Sequence, residues 1–232
     1  MDGTEYAEVA RAEGPRGEVV LRERRTPEGP AVLELRVNGV FVMDTRETGS
    51  ERALARRALE LVEDPRNVLV GGLGLGFTTR EVLADPRVER VAVVEIEESL
   101  VGWMRDGTVR SGPELLADRR VVVVPGDIRE ALAEVVTRTY DLVLLDVDNG
   151  PGHLVHEDNR DIYREPFLDR VREILAPLGA LVVWSSAPAP QLEAAMRAVF
   201  GCCERITYPV VLQEREEEYL LYLARKPGPD RR

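Results

Sequence analysis

The sequence predicts an α/β protein built on a doubly wound, mostly parallel sheet, with a C-terminal antiparallel hairpin and a small N-terminal β-meander. Three observations carry that expectation. From residue 67 onward, apolar β-branched runs alternate with helical stretches, the pattern of a parallel sheet covered on both faces. The first run, NVLVGGLGLGFTTREVL (67–83), passes through glycines at 71, 72, 74 and 76 directly into a helix start. The last two strand-like runs have only the charged segment QEREEE between them, too short for a parallel crossover.

The elements follow in order. Residues 1–16 mix Gly, Pro and charges without a period and read as a loose arm. Glu18–Glu23, Ala31–Val37 and Val40–Asp44 read as strands, the last two joined by Asn38-Gly39, a strong hairpin signal. Together these make a first unit over 1–48, ahead of a larger unit over 49–232. Thr48 or Ser50 is placed to cap a helix whose Leu54, Ala58, Leu61 and Val62 share a face, ending at Asp64-Pro65. Strands are expected at 67–71, 91–95, 121–124, 141–146 and 180–185, with helices near 77–84, 97–105, 127–137 and 165–176 between them. A helix at 190–200 leads to strands Arg205–Gln213 and Glu218–Arg225, and the tail KPGPDRR reads as frayed.

Composition narrows the function. At 232 residues, 44% hydrophobic and 31% charged, the chain can bury a full core without disulfides. Cys202 and Cys203 are neighbours and read as reduced. No apolar run approaches the roughly 18 residues of a membrane span, and MDGTEYAEVARAEG lacks an apolar signal region. A cytoplasmic protein without a membrane partner is expected. The net charge of −11 argues against nucleic acid, because phosphate binding needs a basic surface.

The glycine turn is the first candidate site. Gly72, Gly74 and Gly76 let the backbone approach a ligand, and the helix behind them directs free N–H groups into the same space. In an open parallel sheet, ligands bind beyond the carboxyl ends of the strands, so the acids there matter most. Glu95 closes the second strand at the spacing of a ribose-binding acid, with capping of the next helix as its alternative. Asp127, in VVVVPGD, is placed either for an adenine amino group or for a helix cap. Asp146 ends an apolar run and opens a Gly/Pro loop, where an anionic side chain points to a site. His153 and His156 are the only histidines; His153 is the candidate proton acceptor, and no metal is expected. Trp103 and Trp184 read as packing residues.

Read as a whole, residues from about 32 to 225 resemble the spermidine synthase family. VLVGGLGLGFTTREVL is similar to the family's VLIIGGGDGGxLREVL, VVEIEESLV to its VEID segment, PGDIREAL to its GDA segment and YDLVLLDVDNGPG to YDVIIxDSSDPxGP. The resemblance implies a Rossmann-like, methyltransferase-like domain that binds a sulfonium nucleoside, decarboxylated S-adenosylmethionine or S-adenosylmethionine. It places Glu95 at the ribose, Asp127 and the Ile128 backbone at adenine, and Asp146 beside an attacking amine, with Asp148 or Asn149 orienting that acceptor. It also implies an aminopropyl transferase acting as a homodimer on a small-molecule amine in polyamine biosynthesis. Methyl transfer on the same scaffold and a non-catalytic nucleoside-binding protein are the alternatives.

The chain departs from the family pattern in three places. Leu75 stands where the family has an aspartate that anchors the aminopropyl ammonium, Asn149 replaces the second aspartate of DxxDP, and the Tyr-His-Glu signature is replaced by the Ser50-Glu51-Arg52 region. Each missing charge-assisted partner is worth about 1.5–3 kcal/mol of substrate binding.

Overall fold

The computed structural model describes residues 3–27, 29–212 and 215–228. Two sheets organise it. The first is antiparallel, in the order β1 (Glu5–Gly14), β2 (Gly17–Arg25), β3 (Val32–Val37) and β4 (Val40–Asp44). The arm expected to be loose is therefore largely strand: Glu5–Gly14 pairs with β2 along its length, with a bulge between Glu8 and Ala10. Its residues are almost all exposed, so no alternation of burial marks it in the sequence. Pairing with its neighbour's backbone makes it a strand, which is a tertiary effect.

The second sheet has the order β10 (Glu204–Leu212), β11 (Arg215–Arg225), β9 (Leu175–Ser185), β8 (Tyr140–Leu145), β5 (Asn67–Gly71), β6 (Arg90–Glu95) and β7 (Val121–Pro125). The central strands β5 to β9 run parallel, while β11 pairs antiparallel with β9 and with β10. The expected terminal hairpin is present. Residues 213–214 of its turn and 229–232 of the tail lie outside the described residues. The order of the parallel strands reverses at β5, so a crevice opens at its carboxyl end, where the glycine turn begins.

Helices cover both faces: α1 (Gly49–Leu61), α2 (Phe77–Leu83), α3 (Glu98–Asp106), α4 (Gly112–Leu116), α5 (Ile128–Ala133), α6 (Glu165–Ile174) and α7 (Pro190–Phe200). One apolar cluster joins α1 and the N-terminal sheet to one side of β5, β8 and β9, through Leu21, Leu35, Leu54, Val70 and Leu144. Another packs α6 and α7 on the opposite side through Leu168, Val171 and Met196. Among the described residues no helix is long and apolar enough to cross a membrane.

Several boundaries differ from expectation. Helix α6 stops at Ile174 and β9 starts at Leu175, because Pro177 disfavours helix in the residue before it and Leu178 takes φ of 68°. The helix expected over 127–137 covers only Ile128–Ala133, ahead of the β-branched run Val135-Val136-Thr137 and the left-handed Arg138 (φ 61°). Thr48 sits at the start of α1 but makes no side-chain cap; the Ser50 hydroxyl turns to Glu51 instead. The short helix α4 was not expected.

Candidate functional site

A cleft of about 980 Å³, including its open mouth, lies at the carboxyl ends of β5, β6, β7 and β8, under the N-terminal sheet. Its size is that of a small-molecule site. Gly72, Gly74, Glu95, Asp127, Ile128, Asp146 and Asp148 all line it. Gly76, Asn149 and His153 do not.

The glycine turn is shaped as much by packing as by any ligand. Gly72 has φ of 93°, and a Cβ there would lie 2.1 Å from the Asp146 carbonyl oxygen. The turn and the Asp146 strand end thus touch backbone to backbone, which only glycine allows. Gly76 is directed elsewhere: it precedes α2 in a left-handed conformation, and a Cβ would meet Leu115 of α4 at 2.5 Å. Its contribution is to helix start and packing, a correction to its expected place against a ligand.

At one end of the cleft the acids already have partners. Glu95 is 7% exposed and its two carboxylate oxygens accept the Leu73 and Glu97 N–H groups, each at 2.8 Å. Burial raises its pKa, opposed by these N–H donors. Each oxygen keeps a lone pair for a further hydroxyl. Asp127 caps α5, accepting from the Arg129 N–H at 2.8 Å, and forms an ion pair with the Arg129 guanidinium at 2.5 Å that holds its pKa below the usual carboxylate value. The capping alternative holds, and Asp127 also lines the cleft. Ile128 opens α5, where a first-turn N–H has no helical partner.

At the other end lie Asp146 and Glu51. Asp146 accepts from Thr78 Oγ1 at 2.6 Å, and burial lifts its pKa to about 6. Glu51, 6% exposed on the first turn of α1, accepts from Ser50 Oγ at 2.7 Å; burial and the Asp146 charge push it up to about 8. Glu51 was not among the residues the sequence singled out for the site. Its signal was an acid at the start of an amphipathic helix, which is also what a macrodipole prefers.

The loop after β8 sorts its candidates. Asp148 lines the cleft with φ of 57°, accepts from Asn159 Nδ2 at 2.7 Å and is raised by burial. Asn149 instead ties the loop to the N-terminal sheet, donating to the Phe41 carbonyl at 3.1 Å. His153 is exposed, 3.3 Å from Ser186 Oγ, and lies off the cleft wall. His156 is the histidine in the cleft. Its Nε2 is buried without a hydrogen-bond partner among the described residues, 3.8 Å from Glu97, and burial lowers its pKa. His153 lies in a turn closed by its N–H to the Gly150 carbonyl at 3.2 Å, and spacing alone does not encode which histidine faces inward. Arg16, at the β1–β2 turn, joins His156 there, with Nε 3.3 Å from Glu97 and a buried Nη2 without a partner among the described residues. Trp184, read as packing, is buried at the end of β9 and also lines the cleft. Among the described residues no group of three or more His, Cys, Asp and Glu is arranged to hold a metal.

Fold and cleft define the class: a methyltransferase-like α/β protein whose site lies over the carboxyl ends of a parallel sheet. A family model described as the spermine/spermidine synthase domain matches residues 47–203, and the chain belongs to that family. It is 31% identical over 123 residues to putrescine N-methyltransferase 4 of Nicotiana tabacum, covering 52% of this chain and 30% of that one. It is 28% identical over 135 residues to a polyamine aminopropyltransferase of Saccharolobus solfataricus, covering 58% and 44%. The chain thus spans less than half the length of these two relatives. A spermidine synthase solved in complex with the transition-state analogue AdoDATO shares the fold, with a TM-score of 0.79 at 18% identity over 96% of this chain and 74% of that one.

Proposed function

We propose that this protein is an aminopropyltransferase, moving an aminopropyl group from decarboxylated S-adenosylmethionine to a small amine. The observation that carries this reading is Asp146: a carboxylate on the cleft wall with a pKa near 6, touching the glycine turn through its own backbone. The family and the aminopropyltransferase relative support it.

In this reading Glu95 accepts the ribose hydroxyls, while Asp127 and the Ile128 N–H read the adenine edge. Gly72 and Gly74 give the sulfonium a close backbone wall. The neutral acceptor amine attacks the carbon next to sulfur; the N–C bond forms as the C–S bond breaks, and the electron pair leaves on sulfur as methylthioadenosine. The nitrogen becomes cationic and passes its proton to Asp146. Positioning supplies most of the rate, because the thioether leaves without a proton. Asp148 stands on the acceptor side of Asp146, held by Asn159.

Methyl transfer from S-adenosylmethionine uses the same geometry, and the putrescine N-methyltransferase relative favours it as the second reading. The test is product analysis with each donor over a panel of amines. Aminopropylated product and methylthioadenosine are expected, and methylated product with S-adenosylhomocysteine would replace the reading by the second. Asp146→Asn is expected to lower kcat about 10²–10⁴-fold while methylthioadenosine binding stays within about three-fold. In the wild type kcat/KM should fall as pH drops below about 6, where Asp146 takes up its proton.

A further inference from the structure

We propose that Glu51, at the start of α1, is the anionic partner of the ammonium group on the donor's transferable chain, a task that position 75 of the glycine turn does not perform in this protein. The proposal rests on the aminopropyl-transfer reading above and names the residue that selects its donor.

Leu75 contributes no charge to the cleft. Its side chain is 2% exposed, belongs to the apolar core and is absent from the cleft wall; its N–H points to Met43 Sδ at 3.2 Å. The acids that do line the cleft divide into two groups. Glu97 and Asp127 face arginines, and Glu95 and Asp148 accept from backbone or amide N–H groups. Glu51 and Asp146 are met by the hydroxyls of Ser50 and Thr78, and Glu51 also by its own backbone N–H, but by no cation. Burial, and after it the Asp146 charge, push Glu51 up to about 8. Glu47, just ahead of α1, adds to that repulsion.

No cation on the cleft wall answers this pair. Among the described lining residues, the basic ones are Arg16 and His156; both stand beside Glu97, and His156 also faces Asp148. A second, independent observation points to a ligand here. Trp184 is 5% exposed and lines the same cleft, yet its Nε1, which can only donate, has no partner among the described residues and is left for an acceptor atom of a ligand. Its ring packs edge-on against Tyr219, with centroids 4.7 Å apart. Tyr219 in turn has its hydroxyl pushed up to about 12 by burial and by the Glu51 charge. Two carboxyl groups met by hydroxyls and by no cation of the cleft lining form a site for an organic ammonium, and the Trp184 N–H is left for an acceptor atom of the same ligand. A donor that kept its α-carboxylate would bring a further negative charge to the same place, where the cleft lining offers no cation to meet it.

The test is calorimetric titration of the full chain at pH 7 with decarboxylated S-adenosylmethionine and with methylthioadenosine, which has no ammonium. Each titration is run in two buffers of different ionisation enthalpy. The wild type is expected to bind the decarboxylated donor at least ten-fold more tightly than methylthioadenosine, and to release close to one proton with the donor and none with methylthioadenosine. Glu51→Gln keeps an acceptor for Ser50. It should leave methylthioadenosine within two-fold, weaken the donor at least ten-fold and abolish the proton release, while Glu51→Asp recovers part of both. A Glu51→Gln protein that binds the donor unchanged would overturn the proposal, and so would one that loses both ligands equally, as a purely structural role requires. Failure of the wild type to bind methylthioadenosine is a different result: it removes the nucleoside reading and this proposal with it.

Discussion

The two ends of the cleft place acids under similar burial and treat them differently. Glu95 and Glu51 are 7% and 6% exposed. Glu95 is met by two backbone N–H groups, while Glu51 is met by one hydroxyl and by the repulsion of Asp146. Depth alone therefore says little about what a buried carboxylate does; the donors within reach decide. One end is a preformed receptor whose charges are answered by the chain, and the other is left for a cation that the chain does not supply.

The comparison breaks most visibly at Glu95. Glu95→Ala strips the Leu73 and Glu97 N–H groups of their acceptor inside the protein, and each unsatisfied group costs about 1–3 kcal/mol. Thermal unfolding should show a loss of roughly 2–4 kcal/mol, and methylthioadenosine binding should fall beyond thirty-fold. A variant that unfolds like wild type would mean that these donors find other acceptors.

At the opposite end the sign reverses. A carboxyl whose folded-state pKa is raised favours the fold while protonated. Its contribution is full below the unfolded value near 4.5 and is lost as pH rises through about 8. Ligand-free Glu51→Gln should therefore match wild type near pH 4 and exceed it by about 2–4 kcal/mol at pH 9. Denaturant midpoints at the two pH values check this. Equal stability at pH 9 would mean that the Glu51 charge is already neutralised in the free protein.

The smallest effect is expected at Asp127, which is partly exposed and paired with a surface arginine. Asp127→Ala removes a helix cap worth about 1 kcal/mol and an ion pair worth little more. If Asp127 also reads the adenine amino group, the variant should bind methylthioadenosine about five-fold more weakly and the hypoxanthine analogue with unchanged affinity. An equal loss for both bases would leave Asp127 as a cap alone.

Much of this architecture was legible because the signals are local. The βαβ alternation from residue 67, the glycine turn and the too-short final connection follow from periodicity and chain reach, which neighbouring residues encode by themselves. Glu95, Asp127, Asp146 and Asp148 were legible for the same reason: each follows an apolar strand, and in a parallel sheet the strand ends share one edge. Strand β1 was not, because its exposed residues carry no alternation and its pairing partner supplies the order.

The sequence by itself thus determined the sheet, its C-terminal hairpin and a row of acids along one edge. Tertiary structure alone decided which side chains face the cleft: His156 rather than His153, Trp184 as well as core, Gly76 and Leu75 turned away, and Glu51 and Arg16 brought in from α1 and the first hairpin. The physical reason is that facing depends on packing between elements distant in sequence. Glu51 shares the cleft with Asp146, ninety-five positions away, because α1 packs on β8 and β9, and no local pattern records that arrangement.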